Sequence, residues 1–140
     1  MAIIPETLER HALADYNQSI GINPGNGVAY WNRGNAHFAL RKIEDAIRDY
    51  DQAIAINPKD FNAFNSRGKA FVAKGDSSRA VIDFTQAIEI SPSYVEAYDN
   101  RGISYLVLGR RTDAIADFRK AQSIDPADPV SKQQLRVLEF

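Results

Sequence analysis

The residues of this chain that could do chemistry recur at a fixed step and do not gather at one point. Arg33, Arg67 and Arg101 are spaced by 34 residues, and so are Asp15, Asp49, Asp83 and Asp117. A row of guanidinium groups could bind anions. Carboxylates at the same step would instead make it a ladder of ion pairs. The reading adopted is the ladder, Asp15 to Arg33, Asp49 to Arg67 and Asp83 to Arg101, joining neighbouring units. A pair within one unit, such as Arg33 with Asp49, is the competing geometry. Exposed pairs contribute about 0.2–1 kcal/mol, while breaking a desolvated one costs about 3–5 kcal/mol. The two histidines, His11 and His37, have no serine nucleophile or second metal ligand beside them in the pattern. His37 is expected in the core or half-buried, and His11 on the exposed side of the first helix. The glycines are isolated and form no phosphate-binding loop. No enzyme activity, metal or cofactor is expected.

Composition bounds the rest. The chain has 140 residues, 44% hydrophobic and 25% charged, which is the range of an ordinary folded domain. Seventeen basic and 18 acidic residues give a net charge of −1, so neither nucleic acid nor an anionic membrane is an expected partner. There is no apolar run of spanning length and no secretory leader pattern. With no cysteine there is no disulfide framework and no thiolate metal site. A cytoplasmic setting is the expectation.

The elements that position these residues repeat with them. Gly34, Gly68 and Gly102 share the step of 34, as do Tyr30, Phe64 and Tyr98. So do Ala46, Ala80 and Ala114, then Ala53, Ala87 and Ala121, then Pro58, Pro92 and Pro126. A period of this size predicts stacked supersecondary units. Tyr30, Gly34 and His37 share one helical face, and Ile43, Ala46, Ile47, Tyr50, Ala53 and Ile54 share another. A mid-helix glycine costs roughly 1 kcal/mol against alanine, so close approach of a second helix backbone is expected there. Short links, with Gly75 and Gly109 as left-handed stops, make the paired helices antiparallel. Asn57-Pro58, Ser91-Pro92 and Asp125-Pro126 close the second helices. Asn26, Asp60 and Asp128 stand at N-cap places, with Ser93 the candidate in the third unit. The reading is one domain over 1–140. It comprises a lone second helix within 6–26, helix pairs at 27–60, 61–94 and 95–128, and a capping helix from 129 to 140.

With these columns in register three times over, the chain resembles the tetratricopeptide repeat family along essentially its whole length. The resemblance implies an all-α, right-handed superhelical solenoid of antiparallel helix pairs. It also implies a non-catalytic scaffold whose first helices line a concave groove for a peptide or protein segment. The chain departs from the pattern where Arg33, Arg67 and Arg101 replace an apolar residue before the glycine; the fourth such place holds Leu135. The expected groove stripes are Val28, Trp31, Asn35 and Phe38; Asn62, Asn65, Lys69 and Val72; Glu96, Asp99, Ile103 and Leu106, with Asn100 alongside. Trp31 is the expected anchor, and basic ligand residues are expected near Glu96 and Asp99. The competing reading packs Trp31 and Phe38 against a neighbouring helix. Relatives that clamp a chaperone-tail carboxylate use lysine and asparagine where this chain has Trp31 and Asn35, asparagine where it has Ser66, and lysine and arginine where it has Glu96 and Asn100. Only Asn35 fits, so no such clamp is expected. Two alternatives stand beside the scaffold: self-association through the N-terminal half-unit and the C-terminal helix, and a regulatory segment of a longer protein.

Overall fold

The computed structural model describes residues 3–139, with side chains from residue 6. The described residues form eight helices and no strand: α1 Ile3–Ile22, α2 Gly27–Ala39, α3 Ile43–Ile56, α4 Phe61–Ala73, α5 Ser77–Ile90, α6 Val95–Val107, α7 Arg111–Ile124 and α8 Pro129–Leu138. Helices α2 and α3, α4 and α5, and α6 and α7 form the closest pairs. Each pair then leans on the next, and α2, α4 and α6 also touch in succession. This is an all-α solenoid, as the periodicity predicts. Helix α1 starts three residues earlier than expected, with Pro5 in its first turn, where a missing N–H has no helical partner to lose.

Local chemistry sets the helix ends. The Asn26, Asp60 and Asp128 side chains accept from the backbone N–H of Ala29, Ala63 and Ser131 at 2.8–3.2 Å. In the third unit Tyr94 holds the N-cap place with no side-chain cap bond, so the expected Ser93 cap is not made. Gly75 and Gly109 adopt left-handed φ of 86° and 75°, and Arg41 takes the same conformation at 62°. At all three stops the following N–H reaches back five residues, Lys42 to His37, Asp76 to Phe71 and Arg110 to Tyr105, at 2.8–2.9 Å. That closes the last turn and sends the chain back antiparallel.

The core is divided among the junctions. One cluster joins Ala46, Ile47, Tyr50 and Ala70; a second joins Phe64, Ala87 and Ala97; a third joins Ala114, Phe118 and Leu135. The helix-A glycines serve these clusters differently from expectation. A Cβ at Gly34, Gly68 or Gly102 would come within 2.5–2.8 Å of the Tyr50, Phe84 or Phe118 ring. The close neighbour is therefore an aromatic ring from the unit's own second helix, and no second backbone is involved.

The arginine ladder is also rearranged. Arg33 clasps Asp49 through Nε and Nη2 at 2.9 and 2.6 Å, within one unit. Arg67 holds Asp83 and Arg101 holds Asp117 in the same bidentate way, at 2.7–2.9 Å. The expected pairs Asp15–Arg33, Asp49–Arg67 and Asp83–Arg101 are not formed, and Asp15 is exposed. The third guanidinium nitrogen still reaches the preceding unit, but at a different residue: Asn17, Asp51 or Thr85, at 2.9–3.1 Å. Each guanidinium also covers the aromatic three residues earlier, Tyr30, Phe64 or Tyr98, at 5.4–5.9 Å. That stacking gives an arginine a place where the family pattern has an apolar side chain.

Candidate functional site, the inner wall

Helices α2, α4 and α6 present successive stripes to the inner wall. Val28 and Asn62 are exposed as expected, and Lys69, Val72, Glu96 and Ile103 are also exposed. Asn65 and Asp99 are not; they are 3% and 4% exposed and belong to the packing between units. A polar side chain at such a place can be buried where it finds a hydrogen-bond partner.

The partners are visible for Asn65. Its Nδ2 donates to the Tyr94 hydroxyl at 3.1 Å, and its Oδ1 accepts from Asn100 Nδ2 at 3.1 Å. Burial pushes the Tyr94 hydroxyl up to about 12, with the Glu96 carboxylate adding to the shift. One unit earlier, Trp31 Nε1–H donates to Ser66 Oγ at 2.9 Å, and the indole packs against the Ala46, Ile47, Tyr50 and Ala70 cluster. Trp31 is therefore a contact between α2 and α4, as the competing reading held. The Tyr50 hydroxyl donates to Asn35 Oδ1 at 2.7 Å, which ties Asn35 to its own unit. Glu96 accepts from Lys69 Nζ at 3.3 Å, so the isolated acidic end expected for basic ligand residues is partly neutralised across α4 and α6. His37 is half-buried, with Nε2 3.6 Å from Asp49; burial lowers its pKa and Asp49 opposes this. His11 is exposed.

What these contacts leave open is an apolar cavity of about 300 Å³ on the inner wall. Phe38, Lys69, Val72, Ala73, Phe84, Asn100 and Ile103 line it. Phe38, Lys69, Val72, Asn100 and Ile103 were expected at the groove. Phe84 and Ala73 were not, because Phe84 sits in the column that reads as core and contributes the floor. The wall is hydrocarbon, with one ammonium and one amide at its rim. That arrangement suits an apolar side chain attached to a polar backbone.

Among the described residues no helix is long and apolar enough to cross a membrane. Tetratricopeptide models match the chain at residues 38–75 and 68–109, described as TPR repeat, and at 95–128, described as Tetratricopeptide repeat. No curated protein matches the chain. Among solved structures it is similar to MamA, with a TM-score of 0.81 and 25% identity, covering 85% of this chain and 70% of that one. It is similar to the Arabidopsis OM64 TPR domain, with a TM-score of 0.79 and 28% identity over 81% of this chain and 93% of that one. The second TPR domain of human RPAP3, in complex with the HSP70 peptide SGPTIEEVD, gives a TM-score of 0.77 and 27% identity over 81% and 95%. Repeated family matches over much of the chain, carried on a solenoid of the same shape, establish that this chain belongs to the tetratricopeptide repeat family, a protein-interaction fold.

Proposed function

We propose that the chain is a non-catalytic scaffold that holds a peptide or protein segment on its inner wall. The observation that carries this reading is the cavity floored by Phe84 and rimmed by Phe38, Val72 and Ile103. Val72 and Ile103 are 38% and 36% exposed, and neither is needed to close a core cluster. An aliphatic or aromatic ligand side chain seated there would gain about 1.5–3 kcal/mol from burial. Lys69, Asn100 and Ile103 border that seat, and Asn65 anchors Asn100 by accepting from its Nδ2.

The ligand differs in kind from a chaperone tail. Lys69 is the one ammonium at the cavity rim, and Glu96 already accepts from it. A C-terminal carboxylate would meet no cluster of cations there, so recognition rests on the apolar anchor. Self-association by completing a helix pair head to tail has less support. On α8, Arg136 stands at the glycine place and Lys132 at the aromatic place of the repeat, and both are exposed. A second copy's α1 would need a glycine there to receive its Tyr16 ring.

A displayed random peptide library selected on the wild-type chain tests the proposal. Selected peptides are expected to carry a large apolar residue. Ile103→Asp should weaken them at least about tenfold, a loss of about 1.4 kcal/mol, with unchanged urea unfolding. Peptides that bind wild type and Ile103→Asp equally would remove the cavity from the function.

A further inference from the structure

Trp31, Asn65 and Asp99 hold one column of the first helices, and Asp60, Tyr94 and Asp128 hold the N-cap place that follows each of them. Trp31 donates to Ser66; at the middle joint Asn65 faces Tyr94, and at the last Asp99 faces Asp128. At the middle joint an amide donates to a hydroxyl, and no proton need be taken up. At the last joint both residues are carboxylic acids. Asp99 is 4% and Asp128 8% exposed. Asp128 is committed as an acceptor, taking the Ser131 backbone N–H at 2.8 Å and so capping α8. Asp99 Oδ1 is buried with no hydrogen-bond partner. Two carboxylates cannot share that space unless one of them carries a proton.

We propose that the seat of α8 is a proton-operated joint. One proton on Asp99 is donated to Asp128 and seats the helix, and loss of that proton loosens α8 from α6.

The surroundings all favour the proton. Burial, the Asp128 hydrogen bond and charge, and the nearby Glu96 and Asp117 carboxylates push Asp99 up to about 7. Asp117 on α7 is held by Arg101, and Glu96 on α6 by Lys69 of α4. On α7, Arg111 donates to the Leu138 carbonyl and Arg119 pairs with Glu139, at the far end of α8. Burial would raise Asp128 as well, but the Ser131 N–H and hydroxyl and the Asp99 hydrogen bond keep it below the ordinary carboxylate value. Asp128 therefore stays the acceptor.

The sign follows from proton counting. In the unfolded chain Asp99 ionises near its ordinary value of about 4, so between there and about 7 the seated form holds the extra proton. Seating therefore weakens as pH rises through that interval, by up to about tenfold per pH unit, and levels off above it.

Amide hydrogen exchange across α8, corrected for intrinsic rates, tests this from about pH 5 to about pH 8. Wild-type protection of α8 relative to α4 should fall toward pH 7 and then flatten. Asp99→Asn places at the last joint the amide that Asn65 supplies at the middle one, and its α8 protection should not vary with pH. Asp128→Asn keeps a capping side chain and removes the second carboxylate, and should give a shallower decline than the wild type, because burial still favours the proton on Asp99. A flat wild-type profile overturns the proposal whatever the variants do. So does a decline in either folded variant that parallels the wild type.

Discussion

On the side where each first helix meets its own partner, the contacts are copied from unit to unit. Gly34 lies under Tyr50, Gly68 under Phe84 and Gly102 under Phe118. Arg33, Arg67 and Arg101 clasp Asp49, Asp83 and Asp117 in one geometry. On the inner wall nothing is copied. The place held by Trp31 passes to Asn65 and then to Asp99, and Phe38 passes to Val72 and Leu106. The copied seam is what any helix pair needs in order to stack. The uncopied wall is where this chain can differ from another built on the same seam.

The strongest way to break that contrast is Arg67→Leu. It leaves Asp83, whose side chain is 3% exposed, without its bidentate partner. Burial already pushes the Asp83 carboxyl up, and Arg67 is the group that opposes it. The Arg67 side chain is 22% exposed, so the expected loss is about 3 kcal/mol, the lower end for a buried pair. Urea unfolding reads it directly. Lys69→Ala, on the wall, removes an exposed pair and should change stability by less than about 1 kcal/mol. If Arg67→Leu is equally silent, the seam is not the stabilising side.

A smaller effect comes from the glycines, and it should have opposite signs at two places. Alanine is the better helix former by about 1 kcal/mol. At Gly68 its methyl would lie 2.5 Å from the Phe84 ring, so the ring must move, and a net loss of about 1–3 kcal/mol is expected. At Gly21, near the end of α1, nothing lies within 4 Å of the added carbon, and Gly21→Ala should gain up to about 1 kcal/mol. Equal effects at the two sites would mean that the ring contact does not set the glycine's place.

How much of this could be read in advance follows the same division. The columns repeat, so the helices, their antiparallel pairing, three of the four caps and both glycine stops followed from spacing alone. The arginine partner did not, because Asp49 and Asp15 lie at comparable sequence distances from Arg33 and only packing selects between them. What favours Asp49 is that α2 and α3 form the tight hairpin, while the preceding unit offers Asn17 in place of the carboxylate. The wall was harder. Asn65 and Asp99 are polar and unrepeated, which reads as ligand-facing. Yet Asn65 is satisfied by Tyr94 and Asn100, 29 and 35 residues away, and neither spacing is the period itself. Phe84, at the place Tyr50 holds one unit earlier, is fully buried and also borders the cavity, a double role that spacing alone does not reveal.

The finest test lies within the seam itself, at the one stop that is not copied. Gly75 and Gly109 take positive φ where nothing crowds them, whereas Arg41 pays a steric penalty to adopt the same turn. An L side chain in that region crowds its own carbonyl by about 1–2 kcal/mol, and a glycine loses about 0.5–1 kcal/mol more backbone freedom on folding. Arg41→Gly should therefore gain a few tenths to about 1 kcal/mol, and Gly75→Ala should lose about as much. The pair of urea midpoints, measured with unchanged slope, reads the difference. The Lys42 to His37 bond is as short as its counterparts at the glycine stops, so the first hairpin already reaches the same closed turn. Arg41→Gly should then change its stability and leave its geometry alone. A loss at Arg41→Gly would mean that the arginine side chain makes a stabilising contact outweighing its backbone strain, and the first unit would differ from the others in more than its wall.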